Sequence, residues 1–173
     1  MAKGRFPLLY WTSIVLLLLM LVFTGWYFYQ NQDGVCRNSI SEPVTRNQLQ
    51  RYWQKGRIIA LMSSADDGEP VAAGLARVLP GDYSLLAAEP DTKGAFGQPP
   101  QVLPWLKTCD SALPERISRL GRGNQMLLLP VGCLDSLVGG GRKPGSVLFL
   151  LKGEDGQTPK LLACAGPEDW HQE

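Results

Sequence analysis

The chain has 173 residues, 45% of them hydrophobic and 19% charged, with a formal net charge of +1. This length allows one ordinary domain and hardly two, and the near-neutral balance argues against nucleic acid, whose partners carry a clear basic excess. Nineteen Gly and thirteen Pro imply many loops, yet their share stays below the disordered or collagen-like range.

The mean hydropathy of −0.07 averages one extremely apolar segment with a polar remainder. From Pro7 to Tyr29 the only ionisable side chains are Tyr10, Tyr27 and Tyr29. About 22 residues at about 1.5 Å per residue span about 33 Å, which matches a hydrocarbon core of about 30 Å. Phe6, Tyr10 and Trp11 gather at one end and Trp26 to Tyr29 at the other, where amphipathic rings favour the headgroup level. A cleaved signal peptide would need small residues after the apolar run; Thr24-Gly25-Trp26-Tyr27 offers bulky rings instead. Lys3 and Arg5 precede the run and no acid does, so the positive-inside rule puts the start in the cytoplasm. The remainder holds fifteen basic and sixteen acidic residues, because those two cations leave the seventeen and all sixteen acids follow. The expected organisation is therefore residues 1–6 cytoplasmic, 7–29 a transmembrane signal anchor, 30–43 a tether and 44–173 a periplasmic domain.

Within that domain a helix is expected between an N-cap at Ser41 and a stop at Gly56, with Leu49, Tyr52 and Trp53 as its apolar stripe. Residues 57–63 read as a buried strand. Residues 70–79 fit a helix or a strand, since Ala-Ala-Gly commits to neither. Residues 83–88 read as a strand between turn signals. Residues 89–104, with four prolines, read as an irregular excursion. A second helix is expected near 113–120, stopped by Gly121. Three apolar runs, 126–131, 147–152 and 160–165, close the chain, the last two joined as a hairpin. Without strict βαβ alternation, this mixture predicts an α+β fold with a mostly antiparallel sheet and two or three helices.

Four cysteines, at 36, 109, 133 and 164, all follow the apolar run. Their wide spacing excludes CxxC redox and zinc-knuckle patterns, and in an oxidising compartment an even count reads as two disulfides. Three pairings exist. The favoured one joins Cys109 to Cys133 and Cys36 to Cys164, which in the chain-entropy account contribute about 3.5 and about 5 kcal/mol before strain.

Chemistry-bearing candidates are few. Residues 139–146, three glycines followed by Arg142 and Lys143, could hold an anion, but the phosphate-loop spacing is absent and Pro144 stands where a helix should open. Asp66, Asp67 and Glu69 lack the continued oxygen pattern of a calcium loop. The single imidazole, His171, lies three residues from the end, a poor place to orient a base. No GxSxG or SxxK sequence occurs. Hence no catalytic residue, cofactor or metal is expected. Arg116, Arg119 and Arg122 form a basic stripe that could meet an acidic partner or anionic headgroups, and Trp170, in a polar tail, is expected as an exposed contact aromatic. The contact candidates are thus Arg142, Lys143, Arg116, Arg119 and Trp170.

Taken together, the sequence predicts a non-enzymatic, single-pass inner-membrane protein of a bacterial envelope. Its partners would be the bilayer through residues 7–29 and a protein of an assembly, secretion, pilus or sensor complex. The competing expectations are a membrane-anchored hydrolase using scattered carboxylates and an anion-sensing module using residues 139–146.

Overall fold

The structure, a computed structural model, describes residues 13–24, 38–90, 94–138, 142–154 and 157–170. It comprises two units, Met1–Gly34 and Val35–Glu173.

In the first unit residues 13–24 form helix α1. Its apolar side chains at 15–23 are exposed, from 51% at Val15 to 72% at Phe23. The Thr24 hydroxyl donates to the Met20 carbonyl (2.7 Å) or the Leu21 carbonyl (3.1 Å), so this polar group is satisfied by its own helix. Twelve residues at about 1.5 Å give about 18 Å, and among the described residues no helix is long and apolar enough to cross a membrane. The expected anchor at 7–29 continues on both sides of α1 into residues outside the described set.

In the second unit the chain runs through α2 (Pro43–Gln54), β1 (Ile58–Ser63), α3 (Gly68–Val78), β2 (Tyr83–Ala87) and β3 (Gln101–Val102). A 3-10 turn (Pro104–Lys107) leads to α4 (Leu113–Ser118), β4 (Asn124–Leu129) and α5 (Val131–Val138). Strands β5 (Val147–Leu151) and β6 (Lys160–Ala165) and a 3-10 turn (Pro167–Trp170) complete it. Helix α2 starts at Pro43, whose missing N–H costs nothing there. Leu49 and Trp53 are buried as the stripe requires. The ambiguous 70–79 segment is helical because Asp67 caps it, its carboxylate accepting from the Glu69 N–H at 3.2 Å.

The six strands form one sheet in the order β3-β2-β4-β1-β5-β6. The pairings β3–β2, β2–β4 and β4–β1 are parallel, and only β1–β5 and β5–β6 are antiparallel. The mostly antiparallel sheet expected from sequence is therefore corrected to a mixed sheet within a mixed α and β fold. Helices make the difference. The crossovers through α3, which the residue pattern leaves open, and through α4 return the chain parallel, whereas α5, which the pattern misses entirely, leads into the antiparallel β5. Strands β1 and β4 are buried along their whole length, as strands covered on both faces must be. The β5–β6 hairpin is as expected.

Alternation along each strand divides the interior in two. Ile58, Ala60, Met62, Leu85, Met126 and Phe149 face α2 and α3. Ile59, Leu61, Leu86, Leu127, Leu129 and Leu148 face α4, α5 and Leu106. Trp170 joins the first core at 5% exposure, its indole N–H donating to the Gly145 carbonyl at 2.8 Å. Gly74 makes room for it, since a Cβ there would lie 2.3 Å from the ring. The expectation of an exposed Trp170 is thus overturned: a large apolar ring with one satisfied donor is cheaper to bury than to leave wet.

Both edges of the sheet are occupied or blunted. Residues 38–42, read from sequence as tether, lie beside β6: the Ile40 N–H donates to the Cys164 carbonyl at 2.9 Å and the Cys164 N–H to the Asn38 carbonyl at 3.0 Å. At the other edge, β3 is two residues long and flanked by Pro99, Pro100 and Pro104, which have no N–H to offer a further strand. Cys109 and Cys133 form a disulfide, with Cα atoms 4.7 Å apart, as the favoured pairing has it. Cys164 is also disulfide-bonded. Its expected partner Cys36 lies outside the described residues.

Candidate functional site

An open sheet with helices on both faces has a defined place for a ligand. It is the crevice beyond the carboxyl ends of two neighbouring parallel strands whose following helices go to opposite faces. Here those strands are β1, followed by α3 on one face, and β4, followed by α5 on the other. Met62, Ser63, Ser64, Asp66, Gly68 and Phe96 surround that crevice, and the space left is about 20 Å³, room for a single water. Phe96 seals it. A Cβ at Gly68 would already lie 2.9 Å from the Phe96 ring.

An ion pair lies beside it. Arg142 Nη1 donates to Asp66 Oδ2 at 2.7 Å, with both side chains only 7% exposed. Asp135 Oδ1 stands 3.7 Å from Arg142 Nε, which has no hydrogen-bond partner. The structure thus places Arg142 in a buried, neutralised pair that fastens the loop before β5 to the β1–α3 turn. Lys143 reaches Glu168 at 3.8 Å across an exposed surface. These two neighbours in sequence do not converge on one anion. Residues 139–141 and His171 lie outside the described residues, and among the described residues no cluster of three metal-ligating side chains occurs.

The open space lies elsewhere, on the face covered by α4 and α5. Helix α4 is only six residues long, so part of the sheet beside it stays uncovered. There β2 and β4 carry Ser84 and Gln125 at positions that elsewhere on this face are Leu. The result is a groove of about 650 Å³. Gln125 and Leu86 line its depth, Trp105 and Gln101 one wall, and Arg116, Arg119 and Arg122 the rim.

Arg116 lies in α4, Arg119 caps it and Arg122 follows in the turn before β4, and cations suit the carboxyl-terminal end of a helix, where unpaired carbonyls concentrate negative potential. Arg116 Nη2 pairs with Asp110 Oδ2 at 3.1 Å and Arg119 with Glu115. Neither acid lines the groove. Arg122 has no ion-pair partner among the described residues. The Gln125 amide donates to the Gly121 carbonyl at 3.3 Å, while its Oε1 is buried without a partner. Lys152 Nζ donates to the Gly121 and Gly123 carbonyls, each at 2.6 Å, and holds the adjoining turn. Burial lowers the Lys152 pKa, since desolvation penalises its charged form. The Cys109–Cys133 disulfide ties the segment carrying Trp105 and Asp110 to α5, fixing the wall opposite the arginines.

Of the sequence candidates, the structure brings Arg116 and Arg119 together with Arg122 and separates them from Arg142, Lys143 and Trp170. Trp105 and Gln125 are not among the residues expected there. The signal that marks Gln125 is that β4 opens on two polar residues, Asn124 and Gln125, before the apolar run Met126 to Leu129. No protein-family model, curated protein or solved structure matches this chain.

Proposed function

We propose that this protein is a single-pass inner-membrane protein whose periplasmic domain binds a partner in an envelope complex and performs no catalysis. The observation that carries this reading is the arginine-rimmed groove, an open polar surface on a domain whose usual ligand crevice is filled. The anchor is supported by the apolar run at 7–29 and by the exposed apolar side chains at 15–23. The oxidising compartment is supported by the Cys109–Cys133 bond and by the absence of a free thiol among the described residues. Anchoring raises the local concentration of the domain at the membrane, so a modest contact suffices.

Two measurements test it. Mass-tagging of thiols in intact cells, without reductant, should leave the cysteines unmodified; ready tagging would contradict the compartment. On native gels of solubilised membranes, the protein should migrate in a larger complex, and the charge-reversing pair Arg119→Glu and Arg122→Glu should release it. Migration as a lone chain in both cases would refute the partner-binding role.

A further inference from the structure

We infer that the groove takes an acidic peptide segment of the partner, its carboxylates held by Arg119 and Arg122 and an N–H of the segment donating to Gln125 Oε1. This rests on the reading of the groove as the partner-binding face and adds the chemistry of what it binds.

Four observations converge. First, the rim is cationic in excess. Arg122 has no ion-pair partner among the described residues, and Arg116 and Arg119 each use one edge of the guanidinium on an acid outside the groove. A guanidinium carries five donors in a planar fork, so outer edges remain for carboxylates of a ligand. Second, Gln125 Oε1 is a buried acceptor with no donor. Leaving such a group unmade is costly, and a turn of the Gln125 amide toward the groove lets an incoming N–H satisfy it. Carboxylates alone cannot, because they bring no donor; a peptide brings both. Third, Trp105 and Leu103 give the wall a flat apolar surface, suited to an apolar side chain between the acids. Fourth, the groove is an open trough, whereas small-molecule sites enclose most of their ligand. Both sheet edges are blunted as described above, so recognition falls to side chains rather than to an added strand.

Fluorescence anisotropy on the full-length chain in detergent micelles tests this, with a labelled glutamate-rich nonapeptide as probe and its all-glutamine counterpart as control. The glutamate peptide should bind at least about tenfold more tightly than the glutamine peptide, and should weaken as salt rises. Arg119→Ala with Arg122→Ala should cost about tenfold or more, with the unfolding midpoint unchanged. The reversed pair, Arg119→Glu with Arg122→Glu, should now prefer a lysine-rich nonapeptide, a gain that misfolding cannot mimic. Equal affinity for glutamate and glutamine peptides, or insensitivity to the arginine variants, would overturn the proposal. So would displacement of the peptide by inorganic phosphate or ATP at lower concentration than by unlabelled peptide, which would mark a small-anion site. Should these fail while the native-gel complex still depends on Arg119 and Arg122, the ligand class falls and the partner-binding role stands. Peptide binding without any complex in membranes would do the opposite, keeping the ligand class and removing the partner-binding role.

Discussion

The two sites of the sheet differ in how they treat charge. At the carboxyl ends of β1 and β4, Arg142 and Asp66 are both 7% exposed and face each other at 2.7 Å, with Phe96 closing the space above Gly68. On the face beside α4, three arginines stand around an open groove, and two of them are paired with acids that leave the groove itself uncompensated. The first arrangement is built to hold loops together. The second, in the function proposed, meets a partner. Arginine is a fastener in the first place and, in the function proposed, a reader in the second, and the two differ in burial.

That contrast can be broken most directly at the fastener. Replacing Asp66 by Ala leaves the buried Arg142 with only the more distant Asp135, at 3.7 Å, which should cost up to about 3 kcal/mol in denaturant unfolding. The double change Asp66→Leu with Arg142→Met should recover most of it, because a well-packed apolar pair is often no worse than a buried ionic one. An unfolding midpoint unmoved by Asp66→Ala would show that the pair is solvated after all.

Of similar size is the effect of the disulfide. Cys109→Ser with Cys133→Ser opens a 24-residue separation, for which the chain-entropy account gives about 3.5 kcal/mol. The groove should feel it too. Because the bond holds the Trp105 segment, hydrogen exchange of residues 104–113 should speed up more than that of β1. Uniform change across the domain would mean that the bond does not position the groove wall.

A smaller loss, about 1–3 kcal/mol, is expected of Gly74→Ala, whose methyl would intrude on the Trp170 ring. Arg119→Ala and Arg122→Ala should each stay within about 0.5 kcal/mol, as exposed residues do. Thermal unfolding separates the two classes. If the rim variants unfold as readily as Gly74→Ala, the arginines are structural and the contrast collapses.

The mildest effect concerns Tyr83, which packs against Trp53 with ring centroids 6.0 Å apart. Burial raises its phenol pKa above 10.0, outweighing the opposing hydrogen bond from Gln98. Any stability this confers is full below the unfolded value and is lost as pH rises through the folded one. Tyr83 should therefore ionise late in the phenolate absorbance, and Tyr83→Phe should remove that late step. A late step that survives in Tyr83→Phe would assign it to another residue.

Much of this fold is legible in the order of residues alone. The Leu49–Trp53 stripe, the β5–β6 hairpin and the Cys109–Cys133 pairing follow from local spacing and loop closure. The parallel pairings do not, because strand direction depends on crossovers such as α3, whose Ala-Ala-Gly run commits to neither helix nor strand; α5 is hidden as well, in Val131–Val138, where one run of apolar residues ends β4 and begins a helix across Pro130. For the site, the arginine stripe is visible as spacing three. Its meaning is not, since only the fold shows that α4 is too short to cover Gln125. Arg142 and Trp170 mislead for the same reason. A charge after glycines and a ring in a polar tail both look exposed in sequence, and both are drawn inward by partners distant along the chain, Asp66 and Gly145.

In the function proposed, the groove, and not the filled crevice, is the face that meets a partner. Site-specific photocrosslinking in living cells tests it most directly, with the crosslinker placed at Arg122 beside the groove and at Ala95 beside the crevice, one variant at a time. An adduct that reversal of Arg119 suppresses is expected from Arg122, and none from Ala95. Adducts from Ala95 with none from Arg122 would contradict it.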